Sequence, residues 1–306
     1  MSVQSRRIIF IGIEGNEIEG DAYGSGAQVA LLLHGGGQTR HAWSATAKRL
    51  AERGFTAIAI DQRGHGNSAW VDSGAYTLED YGREAAWLGQ EIEQRFGAKP
   101  VAIGASLGGL ASLYALGQEA CFSALILVDI APRVEASGVA HVRDFMRARA
   151  RDGFVSLDEA AELVAAYLPN RAKPGSADGL RKNLKQRADG RWYWHWDPRF
   201  WDGPRSINVT GESMPHQLEQ IARDLTLPML LVRGGSSDVV SVESAEAFRN
   251  LVPRAQIVNV SGAGHMVSGD RNDAFADAIL DFLGVDAGSC SQMSPLRQYV
   301  NASGGR

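Results

Sequence analysis

The sequence predicts an α/β fold in which a mostly parallel sheet is flanked by helices. Short runs that are apolar at every position alternate with stretches of helical periodicity, as buried parallel strands covered by helices do. The alternation stops near residue 135 and resumes near 217, and the segment between shows helical spacing and no clear strand. We therefore expect a core from 1–134 and 217–284, an inserted helical cap at 135–216, and a C-terminal extension at 285–306.

The predicted elements begin with a hairpin and continue as strands that alternate with helices. Arg7–Ile13 and Glu17–Tyr23 are strand-like and separated by a short turn, which favours antiparallel pairing. The further predicted strands are Ala27–Leu33, Phe55–Ile60, the run from Val101, Ala124–Ile130, Pro228–Val232 and Gln256–Val260. The predicted core helices are Trp43–Arg53, Leu78–Phe96, Leu107–Leu116, Val242–Leu251 and Asp273–Leu283. Gly54 and Gly97 follow the first two helices and are expected to end them.

Composition narrows the classes of function. The 306 residues carry a formal net charge of −4 and show no basic stripe, so nucleic acid is not an expected partner. No run of about 18 apolar residues occurs and the N-terminal segment lacks a signal-peptide pattern, so we expect no membrane span and a cytoplasmic location. Cys121 and Cys290 are far apart and lack metal-ligand or redox spacing, and no metal site is expected.

The segment Val101–Gly109 carries the strongest chemical signal. An apolar run ends in Gly-Ala-Ser-Leu-Gly, and a helical stretch follows at once. Gly-x-Ser-x-Gly between a strand and a helix is the pattern of a nucleophile elbow, a strained turn that exposes one serine at the edge of a sheet. Gly104 and Gly108 provide the space that such a turn needs. Ser106 is therefore the predicted nucleophile.

A serine nucleophile needs a base and a third group that orients this base. His265 lies in a glycine-rich loop after the last predicted strand, at the sheet edge that also carries Ser106. Two carboxylates fit the role of the third group: Asp238 in a loop after a strand, and Asp129 at the end of a strand. We favour Asp238 over Asp129, because a loop reaches toward His265 more easily than a strand end does.

Negative charge that develops on a carbonyl oxygen must be met by backbone N–H groups. One candidate is the N–H of Leu107, at the positive end of the helix after Ser106. The other candidate is Gly36, in the sequence His34-Gly35-Gly36-Gly37 after a predicted strand, where the backbone is uncovered. These two residues form the predicted oxyanion hole.

Together these motifs resemble the α/β-hydrolase superfamily over about residues 7–133 and 217–284. Asp61–Ser68 resembles the Asp-x-Arg-Gly-x-Gly-x-Ser segment of the capped branch, which is structural in that family. The resemblance therefore implies that Arg63 and His65 stabilise the fold. It also implies an eight-stranded, mostly parallel sheet with an inserted cap and with the catalytic residues on the carboxyl edge.

The residue type at the nucleophile position separates branches of this superfamily. Haloalkane dehalogenases and most epoxide hydrolases carry Asp there, whereas this chain has Ser106. The resemblance thus implies a serine hydrolase that cleaves a carboxylic ester, lactone, thioester or carbon–carbon bond without cofactor or metal. Among these substrates we expect a small, fairly apolar ester or lactone. Two alternatives stay open: a cofactor-free perhydrolase, and a small-ligand receptor on the same scaffold. A homo-oligomer is compatible with the sequence.

Aromatic residues are dense in the predicted cap. Four of the seven tryptophans lie between Arg191 and Trp201. Such a cap suits an apolar acyl or alcohol group, although the rings could instead join the cap to the core. Candidate pocket residues are Tyr193 and Trp196 in this run, and Trp43 after the oxyanion loop.

Overall fold

The computed structural model describes residues 3–167, 177–209, 211–265 and 272–284, and the backbone of 298–300. The predicted C-terminal extension, 285–306, includes Cys290 and lies outside the described residues except for the backbone of 298–300. Cys121 is buried as a free thiol, and burial raises its pKa to about 12.

One sheet forms the core of the molecule. The strands in chain order are β1 Ser5–Ile11, β2 Glu17–Tyr23, β3 Gln28–Leu33, β4 Phe55–Ile60, β5 Val101–Ala105, β6 Ala124–Val128, β7 Leu184–Gln186, β8 Trp192–Trp194, β9 Met229–Gly234, β10 Gln256–Ser261 and β11 Gln298–Val300. The large sheet has the order β1-β2-β4-β3-β5-β6-β9-β10-β11. β2 pairs antiparallel with β1 and β4, and all the other neighbours are parallel. The eight expected strands are confirmed, and β11 adds an edge strand within the segment predicted as an irregular extension.

Helices cover both faces of this sheet. They are α1 Ser44–Glu52, α2 Leu78–Phe96, α3 Leu107–Gln118, α4 Ala136–Arg147, α5 Leu157–Tyr167, α6 Arg199–Asp202, α7 Met214–Asp224, α8 Val242–Leu251 and α9 Ala276–Phe282. Gly97 ends α2 in the left-handed conformation with φ 79°. Within the described ranges, none of the helices has both the length and the apolar character needed to cross a bilayer.

The strands are apolar at successive positions because both faces are buried. On β6, Leu125 and Leu127 belong to the core under α2, α3 and α8, while Ile126 and Val128 belong to the core under α1 and α9. Side chains of a strand alternate between the two faces, so a strand covered on both sides needs an apolar residue at every position.

The edge strand β1 is closed by side chains of α2. The indole N–H of Trp87 donates to the carbonyl of Ile11 at 2.8 Å, and the guanidinium of Arg95 donates to the carbonyl of Ile9 at 3.3 Å. An edge strand otherwise presents unpaired backbone groups to solvent. Two of the outward carbonyls of β1 are therefore already occupied.

The inserted segment contains a hairpin as well as helices, so the expectation of a cap without strands is wrong. β7 and β8 pair antiparallel, with Lys185 opposite Tyr193. Strands of three residues are too short for an alternating pattern to show in the sequence. α7 begins at Met214, just before the predicted cap boundary, and packs against α3.

Candidate active site

Ser106 lies on a strained turn between β5 and α3. Its φ of 45° and ψ of −114° fall in a region that residues with a side chain rarely occupy. A Cβ added to Gly104 would overlap the backbone of Gly109, and one added to Gly108 would overlap the carbonyl of Leu33. The predicted strand–turn–helix context of Ser106 is confirmed, and the residue is partly exposed at the carboxyl edge of the sheet.

The glycine loop after β3 lies against Ser106. A Cβ built on Gly35 would be 3.3 Å from the Cβ of Ser106. The N–H of Gly35 donates to Oε1 of Gln38 at 2.9 Å, and the N–H of Gly37 donates to Nε2 of His65 at 3.1 Å. The loop is therefore held by side chains on both sides of its central glycine.

Gly36 and Leu107 carry the two N–H groups predicted to face the oxyanion. Within the described ranges, no hydrogen bond takes up either of these N–H groups. Leu107 is the first residue of α3, where an N–H has no acceptor within the helix and the helix dipole is positive. Both donors are thus available to an oxygen atom of a ligand.

His265 is held by Asp129, so the expectation that Asp238 contacts it is wrong. Nδ1 of His265 and Oδ2 of Asp129 are 2.8 Å apart, and the two side chains are only 4% and 3% exposed. Asp129 directly follows β6 and has a left-handed φ of 51°, so the chain turns sharply there. Its carboxylate also accepts from the N–H of Gly234 and the hydroxyl of Ser237, each at 2.8 Å.

Asp238 lies outside this network. Its side chain is 45% exposed, and Oδ2 is 3.2 Å from Nδ1 of His141 on α4. The loop after β9 does take part in the site, but through Ser237, whose hydroxyl donates to Asp129. Asp129, and not Asp238, contacts His265 because the sharp turn at Asp129 brings the strand-end carboxylate to the ring.

The Ser106 hydroxyl and His265 share one edge of the sheet without a direct hydrogen bond among the described residues. The N–H of Ser106 donates to the carbonyl of Val128 at 3.2 Å, and Asp129 is the next residue. Ser106 and the Asp129–His265 pair are therefore neighbours along the carboxyl edge. Hydrogen bonds between catalytic groups are often long until a substrate is bound.

The three aromatic candidates for the pocket lie in different surroundings. Trp43 is fully buried in the core under α1 and α9. The hydroxyl of Tyr193 donates to Asp189 at 2.8 Å, which directs its polar end into the cap hairpin. Trp196 is close to the glycine loop, since a Cβ built on Gly37 would lie 3.1 Å from its ring.

Two further cap residues contact the same loop and were not anticipated. A Cβ on Gly36 would lie 3.3 Å from the ring of Phe200, and one on Gly37 would overlap the methyl group of Met146. Both side chains are buried. Nothing in the local sequence distinguishes Met146 or Phe200 from other apolar residues of the cap, so only the fold identifies them.

Comparison with known proteins identifies the family. A sequence model described as "Alpha/beta hydrolase family" matches residues 30–278. The chain belongs to the α/β hydrolase family. This agrees with the observed sheet order and with the strained serine turn between β5 and α3.

Two curated relatives of this α/β hydrolase cover most of its length. Esterase Rv0045c of Mycobacterium tuberculosis is 29% identical over 274 residues, which are 87% of this chain and 86% of the relative. The 2-(acetamidomethylene)succinate hydrolase of Mesorhizobium japonicum is 30% identical over 264 residues, 85% of this chain and 89% of the relative. The named relatives are esterases and other hydrolases, and the chain is a hydrolase of this family.

Solved structures give the same result. The crystal structure of E-2-(acetamidomethylene)succinate hydrolase superposes with a TM-score of 0.74 at 25% identity, covering 92% of this chain and 99% of that chain. A structure of the M. tuberculosis esterase Rv0045c superposes with a TM-score of 0.69 at 25% identity, covering 93% of each chain.

The Asp61–Ser68 segment of this hydrolase supports the fold, as the resemblance implied. Arg63 is fully buried, and its guanidinium donates to Glu84 at 3.0 Å and 2.8 Å. His65 does more than support the fold. Because its Nε2 accepts the N–H of Gly37, it also fixes the glycine loop beside Ser106.

His34, His65 and His195 form a buried cluster behind the glycine loop. The ring centroids of His34 and His65 are 5.2 Å apart, and those of His65 and His195 are 5.8 Å apart. Burial lowers the pKa of His34 to about 4 and, together with the neighbouring His34, that of His65 to about 3. Burial also lowers the pKa of His195 well below its usual range. In the described part of the chain, no group of three or more His, Cys, Asp or Glu side chains is placed to hold a metal ion.

Proposed function

We propose that this α/β hydrolase cleaves a small, fairly apolar carboxylic ester or lactone through an acyl-enzyme on Ser106. The observation that carries the proposal is the buried 2.8 Å contact of His265 with Asp129, at the sheet edge that bears the strained Ser106 turn. A nucleophile, a base and a group that orients the base are the parts that acyl transfer requires.

The first half of the reaction forms the acyl-enzyme. Nδ1 of His265 donates to Asp129, which leaves Nε2 to take the proton of the Ser106 hydroxyl as Oγ bonds to the carbonyl carbon. Asp129 stabilises the imidazolium that results. Nε2 then gives the proton to the leaving oxygen as the C–O bond of the ester breaks. Because Gly234 and Ser237 also donate to the carboxylate, Asp129 is oriented before substrate arrives.

The second half returns the enzyme to its starting state. Nε2 of His265 takes a proton from water, whose oxygen bonds to the acyl carbon, and the proton then passes to Oγ of Ser106 as the acid leaves. In both halves the carbonyl oxygen gains negative charge. The N–H groups of Gly36 and Leu107, which have no acceptor among the described residues, would donate to this oxygen.

The chemistry of the cap supports an apolar substrate. Met146, Trp196 and Phe200 border the glycine loop beside Ser106 with apolar atoms. Apolar and aromatic side chains with a few polar groups are typical of small-molecule sites. The similarity to an esterase supports ester cleavage, and the similarity to a succinate-derivative hydrolase supports a small substrate.

The proposal is tested with the purified full chain on short-chain esters, aryl esters and lactones. Substitution Ser106→Ala should lower kcat by a factor on the order of 10⁵ or more, because no other group can form the acyl bond. Mass spectrometry of the wild-type protein during turnover should find the acyl group on the peptide that contains Ser106. Unchanged thermal unfolding serves as the control for folding. Residual activity of the variant within about tenfold of the wild type would refute the role of Ser106.

A further inference from the structure

The backbone of Gly37 is held on both sides by histidine rings. Its N–H donates to Nε2 of His65 at 3.1 Å, and its carbonyl accepts from Nε2 of His195 at 3.2 Å. Gly37 has a φ of 74°, and Met146 and Trp196 fill the space that a side chain at this position would need. The residue directly after Gly36 is therefore fixed by contacts and has little freedom of its own.

The second of these rings comes from the cap. His195 follows β8 and is 1% exposed. Its Nδ1 accepts the N–H of Gly66 at 2.6 Å, and its own backbone N–H donates to the carbonyl of Asn183 at 3.1 Å. One imidazole thus connects the cap hairpin to two separate loops of the core, those of Gly37 and Gly66.

These contacts allow a single state of the ring. Nδ1 accepts and Nε2 donates, which requires the neutral tautomer with its proton on Nε2. A second proton, on Nδ1, would face the N–H of Gly66. Because both partners are backbone groups of buried loops, the position of His195 and the position of Gly37 depend on each other.

We propose that His195 is a positioning residue, whose hydrogen bond to the Gly37 carbonyl sets the loop that presents the Gly36 N–H to the oxyanion. The cap hairpin would then do more than cover the site, because it would have to be docked for the transition state to be stabilised. The inference rests on the proposed function and deepens it. An oxyanion donor acts only at about 2.7–3.1 Å from the oxygen, so a small shift of the loop is enough to weaken it.

Two substitutions separate the two hydrogen bonds of the ring. A glutamine amide reaches about as far as Nε2 and can donate to Gly37, whereas an asparagine amide oxygen lies near Nδ1 and can accept only from Gly66. His195→Asn should lower kcat about 10- to 100-fold with little change in KM, since complete loss of an oxyanion donor costs about 10²- to 10³-fold. His195→Gln should restore most of kcat.

A matched control removes another bond between the cap and the core. Nζ of Lys185 donates to the carbonyl of Gly66 at 2.6 Å, and among the described residues it makes no hydrogen bond to the glycine loop. Lys185→Met should lower the thermal unfolding midpoint as the His195 variants do but leave kcat close to that of the wild type. Equal losses of kcat in His195→Asn, His195→Gln and Lys185→Met would overturn the proposal, because the loss would then follow general cap docking.

A second readout does not depend on the choice of ester. The Ser106 oxygen displaces fluoride from a fluorophosphonate through a five-coordinate phosphorus, while His265 takes the serine proton. The phosphonyl oxygen gains negative charge in this step and needs the same N–H donors, so labelling of Ser106 should slow in His195→Asn and recover in His195→Gln. If wild-type Ser106 is labelled and esters are cleaved, but His195→Asn is labelled as fast, the positioning role fails and the proposed function stands. If wild-type Ser106 is neither labelled nor active on esters, the proposed function fails, and this inference fails with it.

Discussion

Two aspartates with similar sequence signals lie in contrasting surroundings. Asp129, at the end of β6, is buried, has a left-handed φ and accepts hydrogen bonds from Gly234, Ser237 and His265. Asp238, in the loop after β9, is 45% exposed and is within 3.2 Å of one exposed histidine of the cap. Both follow parallel strands at the same edge of the sheet.

Under the proposed function, this difference decides which carboxylate orients the base His265. The greater reach of a loop did not decide which of the two carboxylates contacts His265, since Asp238 lies beside His141 of the cap. A buried carboxylate with several donors has its position fixed in advance, whereas an exposed one exchanges its partner with water. The loop after β9 contributes to the site through Ser237, which donates to the carboxylate of Asp129.

The largest expected effect tests this contrast directly. Asp129→Asn should lower kcat about 10⁴-fold, because an amide can donate to His265 and hold it in the wrong tautomer. Asp238→Asn should leave kcat close to that of the wild type. Steady-state kinetics of both variants on the best ester of the panel measures the ranking. A larger loss in Asp238→Asn would return the orienting role to the loop.

The buried histidines, in contrast to exposed ones such as His141, also predict how the stability of the fold depends on pH. His34 and His65, with pKa values lowered to about 4 and about 3, stay neutral in the fold while the unfolded chain takes up protons below pH 6.5. Their contribution to stability should therefore be nearly constant above about pH 7.5 and fall as the pH drops through about 6.5 toward 4. Each buried histidine adds a slope of about 1.4 kcal/mol per pH unit to the free energy of unfolding.

Denaturant unfolding from about pH 7.5 to about pH 4.5 measures this slope. His195→Gln removes one of the three buried titrating rings, so its profile should be shallower than that of the wild type by the contribution of one histidine. A free energy of unfolding that stays flat between pH 6.5 and about 5 would contradict neutral burial of the cluster.

The smallest expected effect concerns the exposed pair. A double-mutant cycle of His141→Ala and Asp238→Ala, measured under conditions in which the imidazole is protonated, should give a coupling below about 1 kcal/mol that weakens with added salt, as exposed ion pairs do. Thermal or denaturant unfolding of the two single variants and the double variant measures it. A coupling that is larger and insensitive to salt would mean that this pair is a structural lock between the cap and the core.

The sequence predicted what depends on local pattern. The Ser106 turn follows from glycines at fixed offsets between an apolar run and a helix, and the mostly parallel sheet follows from the alternation of apolar runs with helical stretches. The choice of Asp129 depends on a backbone turn with φ 51° and on donors from a distant loop, neither of which leaves a local signal. One hint was present in the sequence: Asp129 is an acidic residue at the end of an otherwise apolar strand, and a buried carboxylate needs hydrogen-bond partners.

The cap was less predictable for a related reason. β7 and β8 have three residues each, too few for their period to appear in the sequence, so the sequence of the inserted region shows no clear strand. His195 lies within that run and resembles any histidine that packs among aromatic rings. Its link to Gly37 and Gly66 exists only when two core loops and the hairpin meet in the fold.

The closed edge at β1 bears on how copies of this hydrolase can meet. Trp87 and Arg95 already occupy the carbonyls of Ile11 and Ile9 that an incoming strand would use for its ladder. Fibril-like growth from that end would first have to break both bonds and lift two side chains of a long helix. Although isoleucine side chains are exposed along β1, these two bonds therefore hinder a strand of another molecule from adding to the sheet at this edge.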